Sequence, residues 1–143
     1  MRRIKNGSGI YTGAFSRCTS LQYFEFPDSL LVLGDYGFSN TAFTELTLNK
    51  GLKTIGNNSF QALNGSVTSF HIPGSVINIG TSAFQFANYK LSEFILGGPG
   101  DPTQLKVIYA NSFIQNDETA FNSITYYSNV IPNETIAILL GNV

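Results

Sequence analysis

The sequence predicts a mainly β solenoid, a chain wound into stacked turns, and three repeating blocks predict it. A phenylalanine behind a small residue returns at Ala14-Phe15, Gly37-Phe38, Ser59-Phe60, Ala83-Phe84 and Ser112-Phe113, in steps of 23, 22, 24 and 29 residues. An apolar-x-x-apolar-x-apolar block and a shorter closing block recur in step with it. A period in the twenties marks repeats that cannot bury a hydrophobic face singly and share one core when stacked. A β-sandwich with regular strand spacing explains one apolar run per period, but not three in fixed order.

The elements follow in chain order. Residues 1–9 are polar and glycine-rich and are expected to form a tail, with Arg2, Arg3 and Lys5 as a solvated basic cluster. The repeats run over 10–126. Their strand blocks are Leu21-x-x-Phe24-x-Phe26, Phe43-x-x-Leu46-x-Leu48, Val67-x-x-Phe70-x-Ile72, Leu91-x-x-Phe94-x-Leu96 and Phe121-x-x-Ile124-x-Tyr126. The last two apolar positions of each alternate with polar ones, the period of a half-buried strand. Turn signals follow at Pro27-Asp28-Ser29, Asn49-Lys50-Gly51, Pro73-Gly74-Ser75 and Gly97-Gly98-Pro99-Gly100. Closing blocks come next: Leu30-x-x-Leu33-Gly34, Leu52-x-x-Ile55-Gly56, Val76-x-x-Ile79-Gly80 and Leu105-x-x-Ile108-Tyr109. The glycines are expected at positive φ, and the small residue before each phenylalanine at a tight packing point. The fourth copy carries an insertion at 98–104. Residues 127–143 are expected to cap the C-terminal end, with Asn133 able to start and Gly141 to end a short helix over Glu134–Leu140.

Phrases such as Gly80-Thr-Ser-Ala-Phe84, Cys18-Thr-Ser-Leu21 and Ile72-Pro-Gly-Ser-Val76-x-x-Ile79-Gly80 resemble the BspA-like class of leucine-rich repeat. The resemblance covers about Ile10 to Leu96 well and the rest loosely. One departure is Asn49, where the family places proline. The resemblance implies a leucine-rich-repeat solenoid, mainly β: a right-handed coil of about five turns, with a short parallel sheet on one face and little helix. It implies surface or secreted proteins, mostly bacterial or protist, many of them adhesins that bind host or matrix proteins. It brings no catalytic motif and no cofactor.

Composition narrows the function classes. Eight basic and nine acidic side chains leave no electrostatic footprint for nucleic acid. No apolar stretch approaches the roughly 18 residues that a membrane span needs, so membrane insertion is not expected. Cys18 has no partner in the chain and reads as a nucleophile, an intermolecular cross-link or a core residue. Core filling is favoured, since Thr41, Leu63 and Ala87 occupy the same slot and free cysteine is among the most buried types. His71 is the only histidine. With Ser69 and a carboxylate on one strand face it superficially suggests a hydrolase triad. Ser69 and His71 lie roughly 6.5–7 Å apart on an extended strand, beyond direct hydrogen bonding, and no glycine-rich elbow stands by to form an oxyanion hole. A single histidine is also a poor zinc site. No catalytic residue and no metal are expected.

The best functional surface is therefore the outward face of the strand blocks: Tyr23, Glu45, Ser69 and Glu93 in one column, Glu25, Thr47, His71 and Ile95 in the next. Ser123 and Thr125 continue them. Five short strands about 4.8 Å apart present on the order of 250 Å². A stable protein interface needs about 800 Å² per partner. The insertion loop or further repeats would have to contribute. Two functions follow. One is a non-catalytic recognition module, adhesin-like, binding a protein or glycan ligand through its sheet face and loops. The other is a structural or assembly segment that uses its ends. Ile10-Tyr11-x-x-x-Phe15 resembles a closing block without its strand, so an open N-terminal edge is expected, met by further repeats, another domain or another subunit.

Overall fold

The closing blocks build the longer of two sheets. The computed structural model describes residues 4–5, 9–64, 67, 69–85, 93–105, 107–108 and 123–126. Among these residues there is no helix. The strands are β1 (Ile4–Lys5), β2 (Gly9–Ile10), β3 (Val32–Leu33), β4 (Thr54–Ile55), β5 (Ser69–Ile72), β6 (Asn78–Ile79), β7 (Glu93–Leu96), β8 (Val107–Ile108) and β9 (Ser123–Tyr126). One sheet has the order β1-β2-β3-β4-β6-β8 and the other β5-β7-β9. All pairs are parallel except β1 with β2. In the first sheet Ile10, Leu33, Ile55, Ile79 and Ile108 face one another in register. Their spacing repeats the phenylalanine steps, so one register runs through both blocks.

The core is a stack of like residues. Phe38, Phe60 and Phe84 are fully buried. Successive rings lie nearly parallel: Phe15–Phe38 at 5.0 Å, Phe38–Phe60 at 5.7 Å and Phe60–Phe84 at 5.6 Å between centroids. Phe24 meets Phe38 edge-on, and Phe70 meets Phe60 and Phe84 in the same way. Such contacts add about 0.5–1.5 kcal/mol each beyond area burial. Around each phenylalanine the backbone alternates between two kinds of bond. Gly13, Phe15 and Arg17 donate their N–H groups to the Asp35, Gly37 and Ser39 carbonyls of the next copy. Ala14 and Ser16, between them, donate to the Tyr11 and Gly13 carbonyls of their own copy. The small residue before each phenylalanine is buried, as expected, at Ala14, Gly37, Ser59 and Ala83.

Several expectations are corrected. The sheet predicted on the strand blocks begins only at β5. Residues 24–26 and 46–48 lie outside the strands, and the ties between those copies fall earlier, from the Ala42 and Thr44 N–H groups to the Leu21 and Gln22 carbonyls. Thr44 Oγ1 also donates to the Gln22 carbonyl at 3.4 Å, so a side chain competes for the ladder's acceptor. Gly34, Gly56 and Gly80 do not hold positive φ. They are required by close approach: a Cβ at Gly34 would strike the Ile10 carbonyl, one at Gly56 would lie 2.7 Å from the Leu33 carbonyl, and one at Gly80 2.6 Å from Asn57 N. Positive φ falls two residues later, at Gly13 (66°), Tyr36 (58°), Asn58 (57°) and Ser82 (56°). It returns four residues after that, at Arg17, Asn40 and Ala62. Cys18 is exposed rather than buried. Its counterparts Thr41 and Leu63 are buried. The segment 1–9, expected as a tail, contributes β1 and the first residue of β2. Phe113, Phe121, Ala87, the cap at 127–143 and its helix lie outside the described residues.

Candidate functional site

The outward face takes its geometry from β5, β7 and β9. Along β5, Phe70 and Ile72 are buried while Ser69 and His71, alternating with them, are exposed, the pattern of a strand with one side on the core. Pairing in register sets Ser69 beside Glu93 and His71 beside Ile95, then Glu93 beside Ser123 and Ile95 beside Thr125. Glu93 and Ile95 are half-buried. Tyr23, Glu25, Glu45 and Thr47 are exposed on the first two copies, outside the named strands. The described pairings thus bring together four of the eight expected face residues: Ser69, His71, Glu93 and Ile95.

His71 is engaged. Its Nε2 carries the proton and donates to the Gly97 carbonyl at 2.6 Å. The nitrogen that a triad would turn toward a serine is turned toward a backbone carbonyl instead. That carbonyl opens the insertion, which folds back onto the sheet instead of projecting freely. Gly97 N–H donates to the Ile72 carbonyl at 2.8 Å, and Gln104 N–H to the Gly74 carbonyl at 2.9 Å. Asp101 Oδ2 accepts the Gly74 N–H at 2.9 Å. Gly98 and Asp101 exchange both backbone bonds, at 2.8 and 2.9 Å, across Pro99 and Gly100. Gly100 has φ 71°, so proline at the second and glycine at the third position suit a type II turn. Thr103 and Leu105 anchor the far end by burial, leaving Pro99 and Gly100 exposed.

A polar ladder runs along the corners after the closing blocks that end at Gly34, Gly56 and Gly80. Asp35 Oδ1 accepts the Asn57 N–H at 2.8 Å, and Asn57 Oδ1 accepts the Thr81 N–H at 2.8 Å. At the next corner Asn49 Nδ2 donates to the Leu30 carbonyl at 2.8 Å, and Ser75 Oγ to the equivalent Leu52 carbonyl at 2.7 Å. Asn49 replaces the family's proline and satisfies a carbonyl of the preceding copy. Sequence reasoning also missed a group of exposed apolar residues: Tyr11, Leu31, Val32 and Tyr36 are 42–52% exposed. The signal was present, since Tyr11 fills the slot of Gly34, Gly56 and Gly80, and Tyr36 the slot of Gly13. Among the described residues no group of three or more His, Cys, Asp or Glu side chains is placed to hold a metal ion. No helix among them is long and apolar enough to cross a membrane.

The BspA type leucine rich repeat region matches in six copies, over residues 4–120 and 67–139. The chain belongs to that family. The family resemblance carried by the phenylalanine and closing phrases is therefore borne out, with six copies where the phenylalanine phrase marks five. No curated protein and no solved structure matches the chain. Membership in the BspA-type family makes this a repeat protein, of a kind often used for protein binding and often surface-associated or secreted.

Proposed function

We propose that the chain is a non-catalytic recognition module, adhesin-like, at the cell surface or secreted, built on a right-handed coil of about five turns. The observation that supports this reading best is the in-register outward face of Ser69, Glu93, His71 and Ile95, three of them polar, with a hydrogen-bonded loop beside it. Flat parallel ladders of alternate side chains suit a protein or glycan ligand better than a small substrate, which needs a concave pocket. Its chemistry is acceptor-rich. Glu25, Glu45 and Glu93 contribute carboxylates and no lysine or arginine interrupts the two columns, so basic groups on the partner are favoured. The test is an immobilised array of glycans and basic peptides probed with the whole chain. Glu45→Ala and Glu93→Ala are expected to weaken whatever is retained at least tenfold. Retention indifferent to both substitutions would overturn the face as the binding surface.

A second reading, a structural or assembly segment working through its end, is favoured by one observation. The large exposed apolar residues among those described, Tyr11, Tyr23, Leu31, Val32 and Tyr36, all fall within the first two copies. Phe15, Leu21 and Phe24, on the same copies, are only partly buried. Concentrated apolar surface marks an interaction site. Further repeats or another subunit would meet it there. Light scattering over a concentration series should then show association that Val32→Glu abolishes and Glu93→Ala leaves intact.

A further inference from the structure

The insertion at 98–104 is the largest departure from the repeat, and three of its ties converge on the β5 copy. Gly97 N–H reaches the Ile72 carbonyl, Asp101 Oδ2 takes the Gly74 N–H, and Gln104 N–H reaches the Gly74 carbonyl. All three belong to the inner edge of the loop: two join backbone to backbone, and the Asp101 carboxylate makes the third. A Cβ added to Gly74 would lie 2.5 Å from both the Asp101 and Pro102 carbonyls, so the loop sits directly on that glycine. The fourth tie differs in kind. It comes from the outward face, through the His71 side chain to the Gly97 carbonyl, and a Cβ on Gly98 would lie 3.8 Å from the same ring nitrogen. Gly97 holds φ 76°, a conformation open to glycine that L side chains rarely adopt.

We infer that His71 is a positioning residue: it latches the loop to the sheet face, so that the Pro99–Gly100 tip and the Ser69–Glu93 ladder form one preorganised binding surface. This rests on the recognition reading above and deepens it. The face by itself is too small for a stable interface, and a loop held in one conformation adds contact area without a further ordering cost on binding. The Nε2 proton is used on the Gly97 carbonyl, so the ring is held at the junction of sheet and loop. Sequence position alone gives His71 the look of one more solvated face residue; the loop's return gives it a second task. A sequence with an apolar or small residue there would keep the sheet and the three inner-edge ties and lose only the link from the outward face.

The latch can be read without any ligand, by amide exchange in the full chain. His71→Ala is expected to speed exchange at the Gly98 and Asp101 amides roughly tenfold, the order of one net hydrogen bond. The Phe38 and Phe60 amides, bonded in the core of the stack, should not change. His71→Gln, whose side-chain amide can donate at similar reach, should restore most of the protection. Unchanged exchange at Gly98 and Asp101 in His71→Ala would overturn the inference. So would faster exchange that spreads equally to Phe38 and Phe60, or no rescue by His71→Gln. Failure of the array experiment with the native chain would instead count against the recognition reading, leaving the latch to stand or fall on exchange alone.

Discussion

Phe60 shows what a single residue does here. Its ring is fully buried, stacked on Phe38 and Phe84 at 5.7 and 5.6 Å, and its N–H donates to the Ala83 carbonyl. Phe60→Ala is expected to cost about 3–5 kcal/mol, because a cavity opens where the surrounding copies cannot collapse. Thr47→Ala, on the exposed face, should stay within about 0.5 kcal/mol. Denaturant midpoints for the two variants check this, and equal shifts would refute the shared core. Ala62 offers the opposite sign. It holds φ 54° while donating to the Gln85 carbonyl, a backbone state that disfavours any Cβ. Ala62→Gly is expected to raise stability by roughly 0.5–1 kcal/mol, the strain relief outweighing the added freedom of the unfolded chain. A lower melting temperature for Ala62→Gly would mean that the methyl group's packing matters more than the strain.

At the scale of the element, the corner after each closing block is where sequence and structure part company most instructively. The glycines of that corner were legible as special, but the cause was not. A repeating Gly-Asx pair looks like a turn signal along one copy. Its meaning lies between copies, where Asp35 Oδ1 and Asn57 Oδ1 accept from the next corner and leave no space for a Cβ at Gly56 or Gly80. One sequence read along its length reports periodicity directly, whereas contacts across the period emerge only once the register is known. The same holds for the sheets. Two-residue strands such as Val32–Leu33 carry too little alternation to be seen, and only their stacking makes them a ladder. The site was half legible for this reason. Alternation placed Ser69 and His71 outward, but nothing local pointed to the Gly97 carbonyl 26 residues away as the ring's partner. Asn57→Ala should cost about 0.5–1 kcal/mol and expose the Thr81 amide to faster exchange. Asn57→Asp, which retains the acceptor, should do neither. If both variants behave alike, the corner ladder contributes through something other than its hydrogen bond.

Across the whole molecule, stability is expected to be set by contacts between neighbouring copies, because from Phe15 to Phe84 each described copy meets the next through the same three features: a ring on a ring, a strand in register and a row of forward-donating N–H groups. In such an array the energy is close to a sum of copy terms and nearest-neighbour terms. Phe38 and Phe60, each stacked between two rings, are completely buried, while Phe15, stacked on Phe38 alone among the described residues, remains partly buried. The consequence is a graded response to damage. Phe84 stacks on Phe60 and meets Phe70 edge-on at 4.7 Å. Phe84→Ala therefore removes at least the ring contacts with Phe60 and Phe70, on its N-terminal side. Amide exchange should accelerate most at Phe60 and Ala62, whose N–H groups donate to the Ala83 and Gln85 carbonyls beside the lost ring. It should accelerate less at Phe38 and Asn40, one copy further, and least at Phe15 and Arg17. A uniform change at all six amides would mean that the copies open as one block, and the nearest-neighbour description would fail.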